Sequence, residues 1–199
     1  ALGPQPAVRS PLEIARAGMG GQSAGTRRMN ALRRGQMVHA LLQYLPDCVP
    51  AERAQVARRW LSRRGSGLST ADCARIADQV MAVMETPAMV PLFASNSRAE
   101  QPLAGVVGDT VVVGQVDRMA VTDDEVLLCD FKTNRQPPAR VEDTPVLYLR
   151  QMASYRALLC MLYPGRRVTC ILVWTEGVRV SVLPDALVAA NAPARIAAQ

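Results

Sequence analysis

Apolar positions recur at helical spacing in the first half of the chain and alternate in the second. Met37, Ala40, Leu41, Tyr44 and Leu45 share one side of a helix predicted from Gln36 to Leu45, which Pro46 ends. Pro50 opens a second helix through Arg64, closed by Gly65. Thr70 caps a third, with Ile76, Val80, Val83 and Met84 as its buried stripe and Pro87 as its stop. From Ser97 the pattern becomes that of strands. Ser97 to Leu103 precedes two alternating runs, Val111 to Val121 and Val126 to Phe131, which Thr122-Asp123-Asp124-Glu125 joins as a hairpin. Pro137 and Pro138 break both helix and ladder after Thr133. Pro145 then starts a helix to Leu162 whose one face carries Tyr148, Gln151 and Tyr155. Val168 to Thr175 is apolar enough for a strand covered on both faces, and Glu176-Gly177 turns it into Val178 to Leu183. A short Ala-rich helix follows within 184–199. This order predicts an α/β fold: a mixed central sheet flanked by helices, with one crossover helix and an added N-terminal helical segment.

Charges interrupt the alternation at one place. Asp130 and Lys132 lie on one side of their strand, roughly 6 to 7 Å apart at about 3.3 Å per residue, and Asp117 is on the partner strand. If the register brings Asp117 to that face, two carboxylates and an ammonium converge where core would be expected, which is costly unless a cation or substrate uses them. Paired carboxylates offer hard oxygen ligands to Mg²⁺ or Mn²⁺, and an ammonium can hold a water or offset charge on a phosphate. A bare Asp-x-Lys is more often a solvated ion pair. Composition shifts that balance: of 23 basic residues Lys132 is the only lysine, and His39 is the only histidine. An ammonium kept where every other cation is a guanidinium points to chemistry that arginine cannot perform.

With 199 residues, 49% hydrophobic, the chain can build one domain with a substantial core. A net charge of +6 suits a polyanionic partner, although a basic surface can equally be a solvated one. The arginines of 53–64 read as a solvated face, with nucleic-acid contact as the sharper alternative. Cys48, Cys73, Cys129, Cys160 and Cys170 contain no C-x-x-C pair, which points to reduced thiols in a cytosol. No run approaches the roughly 20 apolar residues of a membrane span. Residues 1–32, rich in Gly and Pro, read as a linker or extended arm, and the chain, opening on Ala1, as part of something larger.

The set Gly35-x-x-x-His39, Gly114-Gln-Val-Asp117, Asp130-Phe-Lys132-Thr and Gln151-x-x-x-Tyr155 resembles the PD-(D/E)XK nucleases of the RecB type. With Arg34 to Gln43 and Arg98-Ala-Glu100-Gln-Pro102 added, it is similar to the C-terminal nuclease domain of the A subunit (AddA) of bacterial ATP-dependent helicase-nucleases. The resemblance implies a restriction-endonuclease-like core over 33–199. It implies that His39, Asp117, Asp130 and the backbone carbonyl of Phe131 hold Mg²⁺, with Mn²⁺ able to substitute. Lys132 would orient the attacking water, Gln151 and Tyr155 would complete the site or contact DNA, and Glu100 and Arg135 would serve catalysis and DNA binding respectively. The implied activity is metal-dependent exonuclease cleavage of single-stranded DNA in double-strand break repair and recombination, in a bacterial cytoplasm. The implied partners are the rest of a helicase polypeptide and a second helicase-nuclease subunit. The family's iron-sulfur branch needs four clustered cysteines, which are absent, and no G-x-x-x-x-G-K-[ST] loop is present, so ATP use is expected only in a helicase portion. Two alternatives remain: a catalytically weak or inactive nuclease-fold DNA-binding module, and a stand-alone exonuclease.

Overall fold

The computed structural model describes residues 22–64, 67–133 and 136–193. Helix α1 (Gln22–Tyr44) begins well before the apolar periodicity that marks its second half, so residues 22–32, expected in an extended arm or linker, are helical. No proline lies between Pro11 and Pro46 to stop it. Pro46 and Pro50 sit in two short 3-10 turns that lead into α2 (Arg53–Arg64). Helix α3 (Thr70–Glu85) is capped by Ser69, one residue before the predicted Thr70, whose side chain accepts the Asp72 N–H at 3.1 Å.

Strands β1 (Ser97–Val107), β2 (Thr110–Val121), β3 (Glu125–Lys132), β4 (Arg167–Trp174) and β5 (Arg179–Val182) form one sheet in that order. Only β3 and β4 run parallel, and α4 (Val146–Leu162) makes the crossover between them. A short α5 (Asp185–Ala189) follows β5. The first strand is longer than predicted because Gly108, with φ of 59°, allows a tight turn directly into β2.

Two cores lie on the two faces of the sheet. Val126, Leu128, Cys170, Leu172 and Trp174 pack against Met152, Leu158 and Leu159 of α4. Cys129, Phe131, Ile171 and Val173 pack against Leu41, Leu42, Leu61 and Val80 of the three N-terminal helices. Strand β3 therefore has both faces covered, as a central strand with a parallel neighbour should. Alternation along it sends Asp130 and Lys132 toward α4.

Candidate active site

The site forms where the central hairpin comes apart. Strands β2 and β3 pair from Val121↔Val126 to Arg118↔Cys129, and the next pair in that register would be Asp117 with Asp130. The ladder stops before it. Asp117 Oδ2 instead accepts the Phe131 N–H at 2.6 Å, so a side chain takes the place of the strand partner. The β1–β2 ladder has a gap at the same level: Ala99↔Arg118 and Gln101↔Val116 are paired, while Glu100, between them, is not. Glu100 has φ of 50°, a left-handed conformation that costs a non-glycine residue about 1–3 kcal/mol and collects at functional sites. The Gln115 amide donates to the Glu100 carbonyl at 3.1 Å across this gap.

The irregularity shifts the alternation of β2 by one residue. Val112 and Val116 face the α4 core, yet beyond the gap Met119 faces it and Ala120 faces the other. Register with β3 places Asp117 and Asp130 on a common face, while Arg118 turns to the opposite side. There the buried Arg118 donates to the carbonyls of Leu92 at 2.6 Å and Leu42 at 3.3 Å, and to Ser97 Oγ at 3.0 Å. It thus ties α1 to the sheet directly behind Asp117.

Close packing sets the remaining walls. A Cβ at Gly35 would lie 2.7 Å from Thr133 Oγ1, so only glycine lets α1 approach the end of β3 this closely. One turn further on, His39 meets Phe131 edge-on, with centroids 6.0 Å apart, and its Nδ1 is 3.5 Å from Asp117 Oδ1. On the other side, a Cβ at Gly114 would lie 2.0 Å from Tyr155 Oη. The ring of Tyr155 occupies the space that glycine leaves free.

Asp130, Lys132 and Gln151 close a three-membered ring of polar contacts. Lys132 Nζ is 2.5 Å from Asp130 Oδ2 and donates to Gln151 Oε1 at 3.1 Å, while Gln151 Nε2 donates to Asp130 Oδ1 at 3.1 Å. Gln151 also reaches Tyr155 Oη at 3.5 Å, and Lys132 Nζ lies 4.0 Å from the centroid of the Tyr148 ring. The Asp130 and Lys132 side chains are only 7% exposed, so each needs the other. His39 and Asp117, at 31% and 15%, remain open to the cavity.

The electrostatics reflect a crowd of carboxylates. Burial raises the pKa of Asp130 against the opposing pull of Lys132, with Asp117 adding to the rise. Burial likewise raises Glu100, again with Asp117 contributing. Burial alone would lower His39, but Asp117, then Asp130 and Glu100, outweigh it and the net shift is upward. The site holds more negative charge than its own cations balance.

One cavity of about 450 Å³ is lined by His39, Glu100, Asp117, Asp130, Phe131, Lys132, Gln151 and Tyr155. These are the residues singled out in the sequence, brought together from positions as far apart as His39 and Tyr155; Arg135 lies outside the described residues. Donor atoms of His39, Glu100 and Asp117 lie within 4.8 Å of one another. An imidazole and two carboxylates fit a small divalent cation. Here Glu100 stands with His39 and Asp117, whereas both oxygens of Asp130 are engaged by Lys132 and Gln151. Sequence reasoning placed Tyr148 on the Gln151 face without giving it a partner, and missed Arg118 and Gln115. Spacing from Gln151 could have pointed to Tyr148; no local signal marks the other two.

Comparison with known proteins gives one family match. A family described as the PD-(D/E)XK nuclease superfamily matches residues 14–183. No curated protein matches the chain. A solved structure titled "Crystal structure of SSO0001" is similar at 13% identity and a TM-score of 0.32, over 77% of this chain and 71% of that one.

Proposed function

This chain belongs to the PD-(D/E)XK nuclease superfamily, and from that membership we propose that it is a Mg²⁺-dependent deoxyribonuclease domain acting on single-stranded DNA. The observation that carries the proposal is the convergence in one cavity of a His-Glu-Asp donor set and a buried Asp130–Lys132 pair. His39, Asp117 and Glu100 would hold the cation, with Asp130 joining them when its contact with Lys132 opens. A divalent cation there would acidify a water and neutralise charge on the scissile phosphate.

The chain's own residues supply the rest. In hydrolysis a water oxygen forms a new bond to phosphorus, and the bond to the leaving sugar oxygen breaks. Charge builds on the phosphate oxygens as this happens. Lys132 has three N–H groups, of which Asp130 and Gln151 accept two, leaving a third for a water or a phosphate oxygen. Gln151 fixes both members of that pair at once, and Tyr155, seated on Gly114, supports Gln151. Tyr148 covers the ammonium with a ring face and limits its access to bulk water.

The resemblance of the motif set to the AddA nuclease domain supports a finer reading. In it, an attached helicase motor delivers the strand during double-strand break repair, with a second helicase-nuclease subunit as partner, in a bacterial cytoplasm. No described helix is long and apolar enough to cross a membrane. The test is cleavage of end-labelled single-stranded DNA with and without Mg²⁺, for the parent and for Asp117→Asn. Mg²⁺-dependent cutting lost in the variant is the expected result; equal cutting by both would remove Asp117 from the mechanism.

A further inference from the structure

Helix α2 exposes Arg58, Arg59, Arg63 and Arg64 along barely two turns. Two arginines of this helix are already engaged. Arg58 pairs with Asp78 at 3.3 Å, and Arg53 donates to the carbonyls of Cys48 and Pro46 at 3.1 and 2.8 Å. Among the described residues no carboxylate pairs with Arg59, Arg63 or Arg64. Arg64 lies over the Trp60 ring, 6.0 Å from its centroid. The negative end of the helix dipole accounts for cations in the last turn, where Arg63 and Arg64 sit. It does not account for Arg59, one turn earlier on the Arg63 side of the helix.

Beyond this end of α2 the chain meets α1, which lines one wall of the candidate active site. A Cβ on Gly67, three residues after Arg64, would meet Arg33 Nη1 at 2.5 Å. The residues just before Arg33, Ala31 and Leu32, line the cavity itself. A polynucleotide is far longer than a cavity of about 450 Å³ can hold, and its next phosphates must lie on a neighbouring surface. Guanidinium forks match phosphate oxygens two at a time.

We propose that Arg59, Arg63 and Arg64 form a phosphate-binding track that holds the nucleic-acid strand outside the cavity, continuing past Arg33 into the site. This rests on the nuclease reading for the identity of the strand. Each phosphate neutralised releases counterions and steepens the salt dependence of binding by about 0.7 for a single strand, so three contacts are worth a slope of about 2.

The experiment is fluorescence anisotropy of labelled single-stranded DNA, longer than the roughly 4–16 nucleotides that one groove covers, titrated in EDTA at several salt concentrations. Four proteins are compared: the parent; Arg59→Gln/Arg63→Gln/Arg64→Gln; the same three positions changed to Lys; and a control of equal charge change, Arg98→Gln/Arg166→Gln/Arg167→Gln. Arg167 pairs with Glu125 at the opposite end of β3 from Asp130 and Lys132. The α2 glutamine variant is expected to bind at least about tenfold more weakly, with a slope shallower by about 2, while the lysine variant keeps most of the slope and the control stays near the parent. Equal affinity and slope in parent and α2 variant, an equal loss in the control, or no binding by the parent would each overturn the track. Should the triple variant melt early, Arg59→Gln alone is expected to give about a third of the slope change. Cleavage in Mg²⁺ by the same proteins separates the two ideas. A parent that binds without cutting counts against the nuclease reading and leaves the track standing. A parent that cuts, with binding unchanged in the α2 variant, does the reverse.

Discussion

Asp117 and Asp130 stand opposite one another in the β2–β3 register, yet the ladder between their strands ends one pair earlier, at Arg118 and Cys129. That early end of the pairing makes the site. Had the pairing continued, backbone would fill the gap where Asp117 now accepts the Phe131 N–H. Lys132, two residues beyond Asp130, then sits level with the opening.

Removing Lys132 is expected to cost stability as well as activity. Asp130 and Lys132 are both buried, so Lys132→Ala leaves an unpaired carboxylate and destabilises the fold by about 3–5 kcal/mol. Asp130→Asn/Lys132→Met, which removes both charges at similar volume, should recover most of that loss while remaining inactive. Urea denaturation and a cleavage assay on the same preparations check both parts.

Gly114→Ala forces Tyr155 out of place, because the new methyl would overlap its phenol ring. A loss of about 1–3 kcal/mol and a lower cleavage rate are expected. Combined with Tyr155→Ala, which removes the clash, the stability losses should be clearly less than additive. A thermal-melt double-mutant cycle measures this, and strict additivity would contradict the packing described.

Arg118→Met tests the anchor behind Asp117. It strands the Leu42 carbonyl on the buried side of the sheet, leaves the Leu92 carbonyl only the Ser97 hydroxyl, and should destabilise by roughly 1–3 kcal/mol. Because α1 carries both Leu42 and His39, divalent-metal affinity at permissive temperature should fall too. Calorimetric titration of the folded variant with Mn²⁺ reports that second effect.

The pH dependence of the metal-free protein follows from one sign. His39, Glu100 and Asp130 all have raised pKa values, so each binds protons more readily folded than unfolded. For His39 the stabilisation is complete below its ordinary value of 6.5 and fades as pH rises through its higher folded value. The melting temperature in EDTA should therefore fall as pH rises above 6.5, and His39→Gln should flatten that slope. A parent and variant with parallel profiles would show that His39 does not feel these carboxylates.

Much of this was legible in the sequence, for local reasons. Period-two alternation put Asp130 and Lys132 on one face, and helical spacing put Tyr148, Gln151 and Tyr155 on another, which is why their contact could be expected. The start of α1 was missed because its first half lacks an apolar stripe, and the Ser69 cap because Ser and Thr are adjacent. Glu100 was read as part of a regular strand; its left-handed backbone arises from the ladder gap, which depends on two neighbouring strands and on no local pattern. Arg118 carries no local signal, since its partners are carbonyls up to 76 positions away.

Whether these side chains share one divalent cation is read from a crystal of this protein soaked in Mn²⁺. An anomalous difference peak bonded to His39, Asp117 and at least one of Glu100 and Asp130 is the predicted result. Full Mn²⁺ exposure with no peak in this cavity, or with Mn²⁺ bound only elsewhere, would show that they hold no shared cation.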